Sequence, residues 1–327
     1  MCVFLGYNFD PLYFCNTIVF DVENDLKNRI FFMVTTKKIL LDTGYQFSLK
    51  REDLLFPDIS GNKFRKLKYQ LEKIKKSPVT TILTFGGAYS NHIAAVATAG
   101  KKYNLKTIGV IRGEELATKY LENPTLTYAE KQGMDLVFVS REAYKNKESQ
   151  AYIESLKATY GAFHLIPEGG TNALAIKGCA EILQPEDANY DYICVPVGTG
   201  GTLAGIVTSL LPHQKAIGFS ALKGTFQKEI VSSYTSNTNF EILDDYCFGG
   251  YAKIDETLVR FINTFKETHG VQLDPVYTGK MLYGIQDLMR KEYFRKNSSI
   301  LAIHTGGLQG ITGMNQRLQR RKLPIII

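Results

Sequence analysis

The chain has 327 residues, more than one hydrophobic core usually holds, so its length predicts two domains or one large α/β domain. Its hydrophobic content of 44% is ordinary for a globular protein, and it has no run of 18 apolar residues that would predict a membrane span. The formal net charge of +7 raises the question of a nucleic-acid partner. However, most basic residues of 63–76 lie at helical spacing opposite an apolar stripe, which predicts a solvated helix face rather than a nucleic-acid patch.

The N-terminus and the cysteines add two further expectations. Residues 1–10 have no positively charged segment before an apolar run, so we predict no secretion signal and a cytoplasmic protein. The five cysteines are scattered without a Cys-x-x-Cys pair, which predicts reduced thiols and no metal site.

Lys63 stands at the start of the first predicted helix, directly after a Gly-Asn turn. A lysine amino group that faces a cavity can bond covalently to a carbonyl compound. Lys63 is therefore a candidate for a lysine that faces a cofactor, with one more solvated helix residue as the alternative.

From about residue 79, short apolar or β-branched runs alternate with longer helical stretches, the pattern of a parallel sheet with crossover helices. We predict strands at 79–85, 107–112, 136–140 and 163–166, with helices at 91–103, 123–132 and 147–160.

A second series of the same kind follows. It comprises helix 174–183, strand 192–196, helix 201–210, strand 215–221, a loop at 232–245, helices 256–268 and 280–291, and strand 300–304. Two α/β units with a cleft between them are the expected result, and ligands bind in such clefts.

The glycine-rich segment 196–205 leaves a buried strand and enters a helix. Its loop can turn several backbone N–H groups toward one anion at the helix N-terminus, and the hydroxyls of Thr199 and Thr202 add donors. It lacks the lysine of a nucleotide P-loop and the acidic residue that a dinucleotide ribose needs. A phosphate monoester fits best, and a tight turn without a ligand is the alternative.

Polar residues follow other predicted strands. Ser90 and Asn91 come after a Gly-Gly pair at a helix start, where they can cap the helix or bind a ligand. Considered singly, Tyr251 and Tyr277 fit half-buried core positions with satisfied hydroxyls, and His304 fits a structural role.

Six segments in this order together resemble a known family. They are Lys-Arg-Glu-Asp at 50–53, Ser-Gly-Asn-Lys-x-Arg-Lys-Leu at 60–67, Tyr-Ser-Asn-His at 89–92, Val-Gly-Thr-Gly-Gly-Thr at 197–202, Asp-Pro-Val-Tyr-Thr-Gly-Lys at 274–280 and His-Thr-Gly-Gly at 304–307. The chain from about 49 to 310 resembles the fold-type II pyridoxal-phosphate enzymes, within them D-cysteine desulfhydrase and 1-aminocyclopropane-1-carboxylate deaminase.

The resemblance implies an α/β fold of two three-layer α/β/α domains with mostly parallel sheets, similar to the tryptophan synthase β-subunit. Residues 1–65 and 176–327 would form the larger, cofactor-binding domain and residues 66–175 the smaller one, with the active site in the cleft. It also implies pyridoxal 5'-phosphate as the cofactor, a small amino acid as the substrate and a homodimer.

The resemblance further assigns roles to single residues. Lys63 would bond the cofactor, Asn91 would hydrogen-bond its ring hydroxyl, Thr305 would lie near the pyridine nitrogen, and Ser90 would meet the substrate carboxylate or assist proton transfer. Tyr251 and Tyr277 would line the substrate side of the ring. The phosphate would bind the loop of Gly198, Thr199, Gly200, Gly201 and Thr202.

The residue after Tyr277 distinguishes the aminocyclopropane deaminases within the family that this chain resembles. Aminocyclopropane deaminases have Glu there, which keeps the pyridine nitrogen protonated and the ring a strong electron sink. This chain has Thr278. A weaker sink suits β-elimination from a substrate with a good leaving group, so we expect a D-cysteine desulfhydrase that forms pyruvate, sulfide and ammonia.

Two other functions stay open on the sequence alone. One is deamination of 1-aminocyclopropane-1-carboxylate to 2-oxobutanoate and ammonia, and the other is binding of pyridoxal phosphate or amino acids without turnover. For the base that removes the α-proton we expect Lys63, with Tyr277 or Ser90 as alternatives. Three departures from the family pattern are Tyr89, where Gln is usual, Leu308-Gln309 after the last motif, and residues 1 to about 45, which do not resemble the family's N-terminal segment.

Overall fold

The computed structural model describes residues 34–41, 44–56, 59 and 61–327. The first 33 residues of the predicted larger domain, and Ser60 of the Lys63 motif, lie outside this part of the chain. In the described residues ten strands form two sheets, and no helix is long and apolar enough to cross a membrane.

The strands are named in chain order. They are β1 (Thr36–Lys38), β2 (Gln46–Lys50), β3 (Thr81–Gly86), β4 (Lys106–Arg112), β5 (Met134–Val139), β6 (His164–Ile166), β7 (Tyr192–Val197), β8 (Lys215–Ser220), β9 (Phe240–Leu243) and β10 (Ser299–Ile303).

The α-helices follow the same convention. They are α1 (Asn62–Lys75), α2 (Asn91–Tyr103), α3 (Pro124–Lys131), α4 (Arg141–Lys145), α5 (Gln150–Tyr160), α6 (Ala173–Ala180), α7 (Gly201–Thr208), α8 (Gln227–Tyr234), α9 (Glu256–His269), α10 (Thr278–Arg290) and α11 (Gly310–Arg320).

The larger sheet has six strands in the order β1-β2-β10-β7-β8-β9, and every pair except β1 with β2 is parallel. The smaller sheet has the order β5-β4-β3-β6 and is parallel throughout. It lies between residues 81 and 166, inside the predicted smaller domain of 66–175. The domain boundaries themselves stay a prediction.

Each sheet carries apolar packing on both faces. In β10, Ile300 packs into one hydrophobic cluster and Leu301 into another, and in β3 the neighbours Ile82 and Leu83 likewise belong to different clusters. Successive side chains of a strand point to opposite faces, so helices cover both sides of each sheet. The predicted α/β fold with three-layer units and mostly parallel sheets is confirmed.

Two sequence-based expectations about elements were wrong or incomplete. The loop predicted at 232–245 contains the end of α8 and the strand β9, in which Phe240 and Ile242 are buried while Glu241 and Leu243 are only partly buried. An edge strand with only one packed face has too few apolar residues to show a strong signal. The helix predicted at 147–160 begins only at Gln150, as α5, because Ser149 caps its first turn.

The basic face predicted for residues 63–76 is also wrong in part. Arg65 is 8% exposed and Lys66 2% exposed, so two of its cations belong to the interior of the protein. Arg65 donates two hydrogen bonds of 2.9 Å to the buried carboxylate of Glu52. A buried cation is retained where it has a partner, and periodicity alone does not reveal that partner.

Candidate active site

A cavity of about 630 Å³ opens where the carboxyl ends of strands from both sheets meet. Parallel strands direct the residues that follow them to one edge of the sheet, which is where open α/β sheets bind ligands. The lining includes all the site residues predicted from the sequence: Lys63, Ser90, Asn91, Gly198, Thr199, Gly200, Gly201, Thr202, Tyr251, Tyr277 and Thr305.

Lys63 reaches the cavity because Gly61 brings the start of α1 against the end of β10. Gly61 has φ of 62°, and a Cβ atom there would lie 2.0 Å from the carbonyl oxygen of Thr305. Only glycine combines this left-handed conformation with such a close approach. The sequence therefore fixes the first turn of α1 next to Thr305.

The amino group of Lys63 has few partners. Its Nζ lies 3.4 Å from the carbonyl oxygen of Gly169, a long contact. Burial, and then the neighbouring charge of Lys66, lower the pKa of Lys63 well below its ordinary value. A substantial fraction of the Lys63 amine is therefore uncharged at a pH closer to neutral than for a solvated lysine. A nucleophile or a base requires this uncharged form.

Lys66 is a cavity residue that the sequence reasoning missed. Its Nζ donates to the Gly169 carbonyl at 2.8 Å and to Thr171 Oγ1 at 3.1 Å, with Thr199 Oγ1 at 3.5 Å. Residues three apart on a helix share a face, so its spacing from Lys63 could have identified it.

The loop at 198–202 forms a cradle beside Lys66. Gly200 adopts φ of 88° and α7 begins directly after it, so the first N–H groups of the helix face the cavity. A Cβ on Gly201 would lie 3.1 Å from Lys66 Nζ, which brings the loop backbone close to this amino group. Thr199 Oγ1 hydrogen-bonds Thr171 Oγ1 at 2.7 Å, and Thr202 Oγ1 accepts from Asn62 at 2.7 Å. These donors suit a phosphate monoester.

Ser90 and Asn91 begin α2 on the opposite side. Ser90 Oγ accepts the capping hydrogen bond from the N–H of Ile93 at 3.3 Å, which leaves its own proton free to donate. The side-chain oxygen of Asn91 accepts from Gln309, so its amide nitrogen remains as a donor. Gln309 thus orients Asn91. The sequence had shown Gln309 only as a departure from the family pattern and had not indicated this role.

Tyr251 and Tyr277 pack edge to face, with ring centroids 6.2 Å apart. The Tyr277 ring lies over Gly198, where a Cβ would come within 3.2 Å of it. Burial and then the neighbouring Tyr251 raise the pKa of Tyr277 well above its ordinary value, and burial raises that of Tyr251. Both hydroxyls are therefore proton donors at neutral pH and weak candidates for a base.

The loop that carries Tyr251 is held by a buried lysine. Lys280 Nζ donates to the carbonyls of Cys247 at 2.7 Å and Gly250 at 2.8 Å. Burial lowers the pKa of Lys280 to about 8. Lys280 thus positions the residue next to Tyr251 from outside the cavity.

The two threonines expected near the pyridine nitrogen differ in placement. Thr305 lines the cavity, whereas Thr278 is fully buried and does not belong to the described lining. The Thr278 hydroxyl donates to the carboxylate of Asp274 at 2.6 Å. Thr278 therefore contributes no acidic group to the cavity, and its hydroxyl proton is already donated to Asp274.

His92 is a second cavity residue without a predicted role. Thr84 Oγ1 donates its only proton to the Ile166 carbonyl at 2.8 Å, so it must accept from His92 Nε2 at 2.8 Å. His92 Nδ1 is then unprotonated, and it has no hydrogen-bond partner among the described residues. Burial, and then Lys63 and Lys66, lower the pKa of His92 well below its usual value, which keeps the ring neutral.

Comparisons with known proteins agree with this chemistry. The model of the family "Pyridoxal-phosphate dependent enzyme" matches residues 33–306. A putative 1-aminocyclopropane-1-carboxylate deaminase of Pyrococcus horikoshii is 32% identical over 82% of this chain and 86% of the relative. The bifunctional mitochondrial D-cysteine desulfhydrase/1-aminocyclopropane-1-carboxylate deaminase of Arabidopsis thaliana is 30% identical over 83% of this chain and 74% of the relative.

Among solved structures, the crystal structure of a homologue of aminocyclopropane-carboxylate deaminase superposes with a TM-score of 0.76 at 29% identity. The match covers 89% of this chain and 94% of that one. A depressed lysine pKa, a phosphate cradle and an amide donor fit pyridoxal 5'-phosphate as the cofactor. The chain belongs to the family of pyridoxal-phosphate dependent enzymes.

Proposed function

We propose that the enzyme deaminates a small amino acid by β-elimination, with D-cysteine as a substrate that yields pyruvate, sulfide and ammonia. The observation that carries this proposal is Thr278, whose hydroxyl is held by Asp274 and which brings no carboxylate to the cavity. Without an acid at this position the ring nitrogen is less readily protonated, and a weaker electron sink favours loss of a good leaving group.

The chain's own residues supply the remaining chemistry. Bound pyridoxal phosphate withdraws electrons from the α-carbon and so makes its proton acidic. Lys63 Nζ takes that proton, because its depressed pKa leaves the amine uncharged in a useful fraction. The raised pKa of Tyr277 argues against this residue as the base.

The substrate is held by the start of α2 on the opposite wall, and its leaving group lies beside the two tyrosines. The Ser90 hydroxyl and the first backbone N–H groups of α2 bind the α-carboxylate at the positive end of the helix. Tyr277 and Tyr251 keep their protons and donate hydrogen bonds to the leaving sulfur. Water then converts the remaining three-carbon fragment to pyruvate and ammonia, so the net reaction consumes one water per D-cysteine.

The same residues would hold the cofactor. Lys63 would bond its aldehyde carbon, Asn91 Nδ2 would donate to its ring hydroxyl, and Thr305 would lie toward its nitrogen. Its phosphate would bind the loop at 198–202 together with Lys66.

Deamination of 1-aminocyclopropane-1-carboxylate is the second candidate, favoured by the names of the archaeal and plant relatives. The deciding experiment assays the holoenzyme with D-cysteine, L-cysteine and 1-aminocyclopropane-1-carboxylate. Keto acid and sulfide should appear in equal amounts from D-cysteine. Formation of 2-oxobutanoate with no sulfide from either cysteine would favour the second candidate, and no product from any of the three would refute both.

Replacing Lys66 by Met tests the phosphate cradle. We expect the Kd for pyridoxal phosphate to rise about 10- to 100-fold, because a charge-assisted hydrogen bond contributes about 1.5–3 kcal/mol. Absorbance titration of the apoenzyme measures it. The matched control is Lys68→Met on the same helix, whose Nζ instead pairs with Glu181 at 2.7 Å. An equal change in both variants would contradict the assignment.

A further inference from the structure

Arg112 is a cavity residue that the proposed reaction does not use. It ends β4, and its guanidinium reaches toward the loop that precedes α2. A Cβ on Gly87 would lie 3.7 Å from Arg112 Nη2, so the glycine leaves open space beside this cation. The guanidinium therefore lies near the loop that leads into the proposed carboxylate-binding helix N-terminus.

The neighbouring charges around Arg112 are already paired. Arg141, also in the lining, lies 2.6 Å from a carboxylate oxygen of Glu115. Lys147 lies 3.5 Å from the carboxylate of Glu168. Lys147 also lies 3.8 Å from a carboxylate oxygen of Glu148, so both of these cations have carboxylate partners.

Arg112 differs from these two cations. Within the described part of the chain no carboxylate forms an ion pair with it, and its recorded contact is the ring of Tyr144, with the guanidinium carbon 5.7 Å from the ring centroid. The Arg112 side chain is exposed to solvent. Tyr144 contacts its guanidinium through a cation–π interaction and leaves its N–H donors available. A guanidinium with free donors suits the two oxygens of a carboxylate.

The α-carboxylate of the substrate does not need this cation. In the proposed function it is bound by Ser90 and the N–H groups of α2. Arg112 lines the same cavity as Tyr251 and Tyr277, and so can add a second anion-binding point on the substrate side. The cavity volume, about 630 Å³, is ample for an amino acid longer than cysteine beside the cofactor.

We propose that Arg112 binds a second acidic group of the substrate, so that the preferred substrates are amino acids whose β-leaving group carries a carboxylate or a similar anion. This inference rests on the proposed function, which assigns the α-carboxylate to α2. S-carboxymethylcysteine represents the class: its Cβ–S bond breaks, thioglycolate leaves with the electron pair, and water releases pyruvate and ammonia.

The test measures binding without turnover. Calorimetry of the holoenzyme compares glutamate with glutamine, in D and L forms, since the two differ by one charge and have no β-leaving group. We expect glutamate to bind at least about tenfold more tightly than glutamine, from the strength of a charge-assisted hydrogen bond. In Arg112→Gln this ratio should fall to about one because glutamate loses affinity, whereas Arg141→Gln should keep it.

Several outcomes would overturn the inference. They are equal binding of acid and amide by the unmodified enzyme, no binding of either, an equal loss for both ligands in Arg112→Gln, or loss of the preference in Arg141→Gln alone. Sulfide release from D-cysteine is measured separately. A tenfold glutamate preference without sulfide release would refute the proposed reaction while supporting the anion site.

Discussion

Lys63→Ala is expected to lower turnover by about 10³-fold or more, and to remove the visible absorbance of the lysine-bonded cofactor. The reason is the placement of Lys63 Nζ in the cavity, with a pKa lowered by burial and by Lys66. Steady-state kinetics and an absorbance spectrum of the purified variant measure both effects. A small primary amine added to the variant should restore part of the activity.

The second cavity lysine makes this test sharper. Lys66 lies one turn further along α1, and its Nζ contacts the carbonyl of Gly169, as Lys63 Nζ does. If Lys63→Ala retained the lysine-bonded absorbance and Lys66→Met lost it, the covalent bond would belong to Lys66. Lys68→Met is again the control, and it should keep both absorbance and turnover.

Glu52→Gln is expected to destabilise the protein by about 3–5 kcal/mol, the usual cost of breaking a buried ion pair from one side. Glu52 is fully buried and accepts two hydrogen bonds of 2.9 Å from Arg65. The amide would remove the counter-charge that Arg65 contacts through two hydrogen bonds and leave only the partly exposed Glu181, 3.7 Å away. Calorimetric unfolding of the apoenzyme should show a fall of several degrees in Tm.

The control for Glu52 is an exposed pair of the same type. Glu256 and Arg260 pair at the surface of α9, where such a contact contributes roughly 0.3–0.5 kcal/mol. Glu256→Gln should therefore leave Tm almost unchanged. Similar small shifts in the two variants would mean that the buried pair contributes no more than a surface one.

Much of the fold could be predicted because local signals agreed with the tertiary structure. Helix 91–103 was predicted with the bounds that α2 has, since Ser90 caps it and small apolar residues fill its interior. Strands such as β7 and β10 are nearly continuous apolar runs, as strands buried on both faces must be. By contrast, β2 and α11 had not been predicted.

The members of the candidate site at 90–91 and 198–202 could be predicted for a topological reason, whereas Tyr251, Tyr277 and Thr305 were expected there from the family resemblance. Glycine-rich turns and polar residues follow predicted parallel strands, and the ends of those strands converge on one cavity whatever the loops look like in detail. Their individual roles toward the cofactor stay predictions.

What the sequence determined by itself is the alternation of strands and helices, and the residues that stand at the strand ends. The tertiary structure decided which polar residues are paired. It turned Lys66 and Arg65 from a presumed solvated face to the interior, bound Thr278 to Asp274, and placed Gln309 against Asn91. Among the described residues it also left Arg112 without an ion-paired carboxylate, with the ring of Tyr144 as its contact. Periodicity depends on neighbours along the chain, whereas pairing depends on groups that only folding brings together.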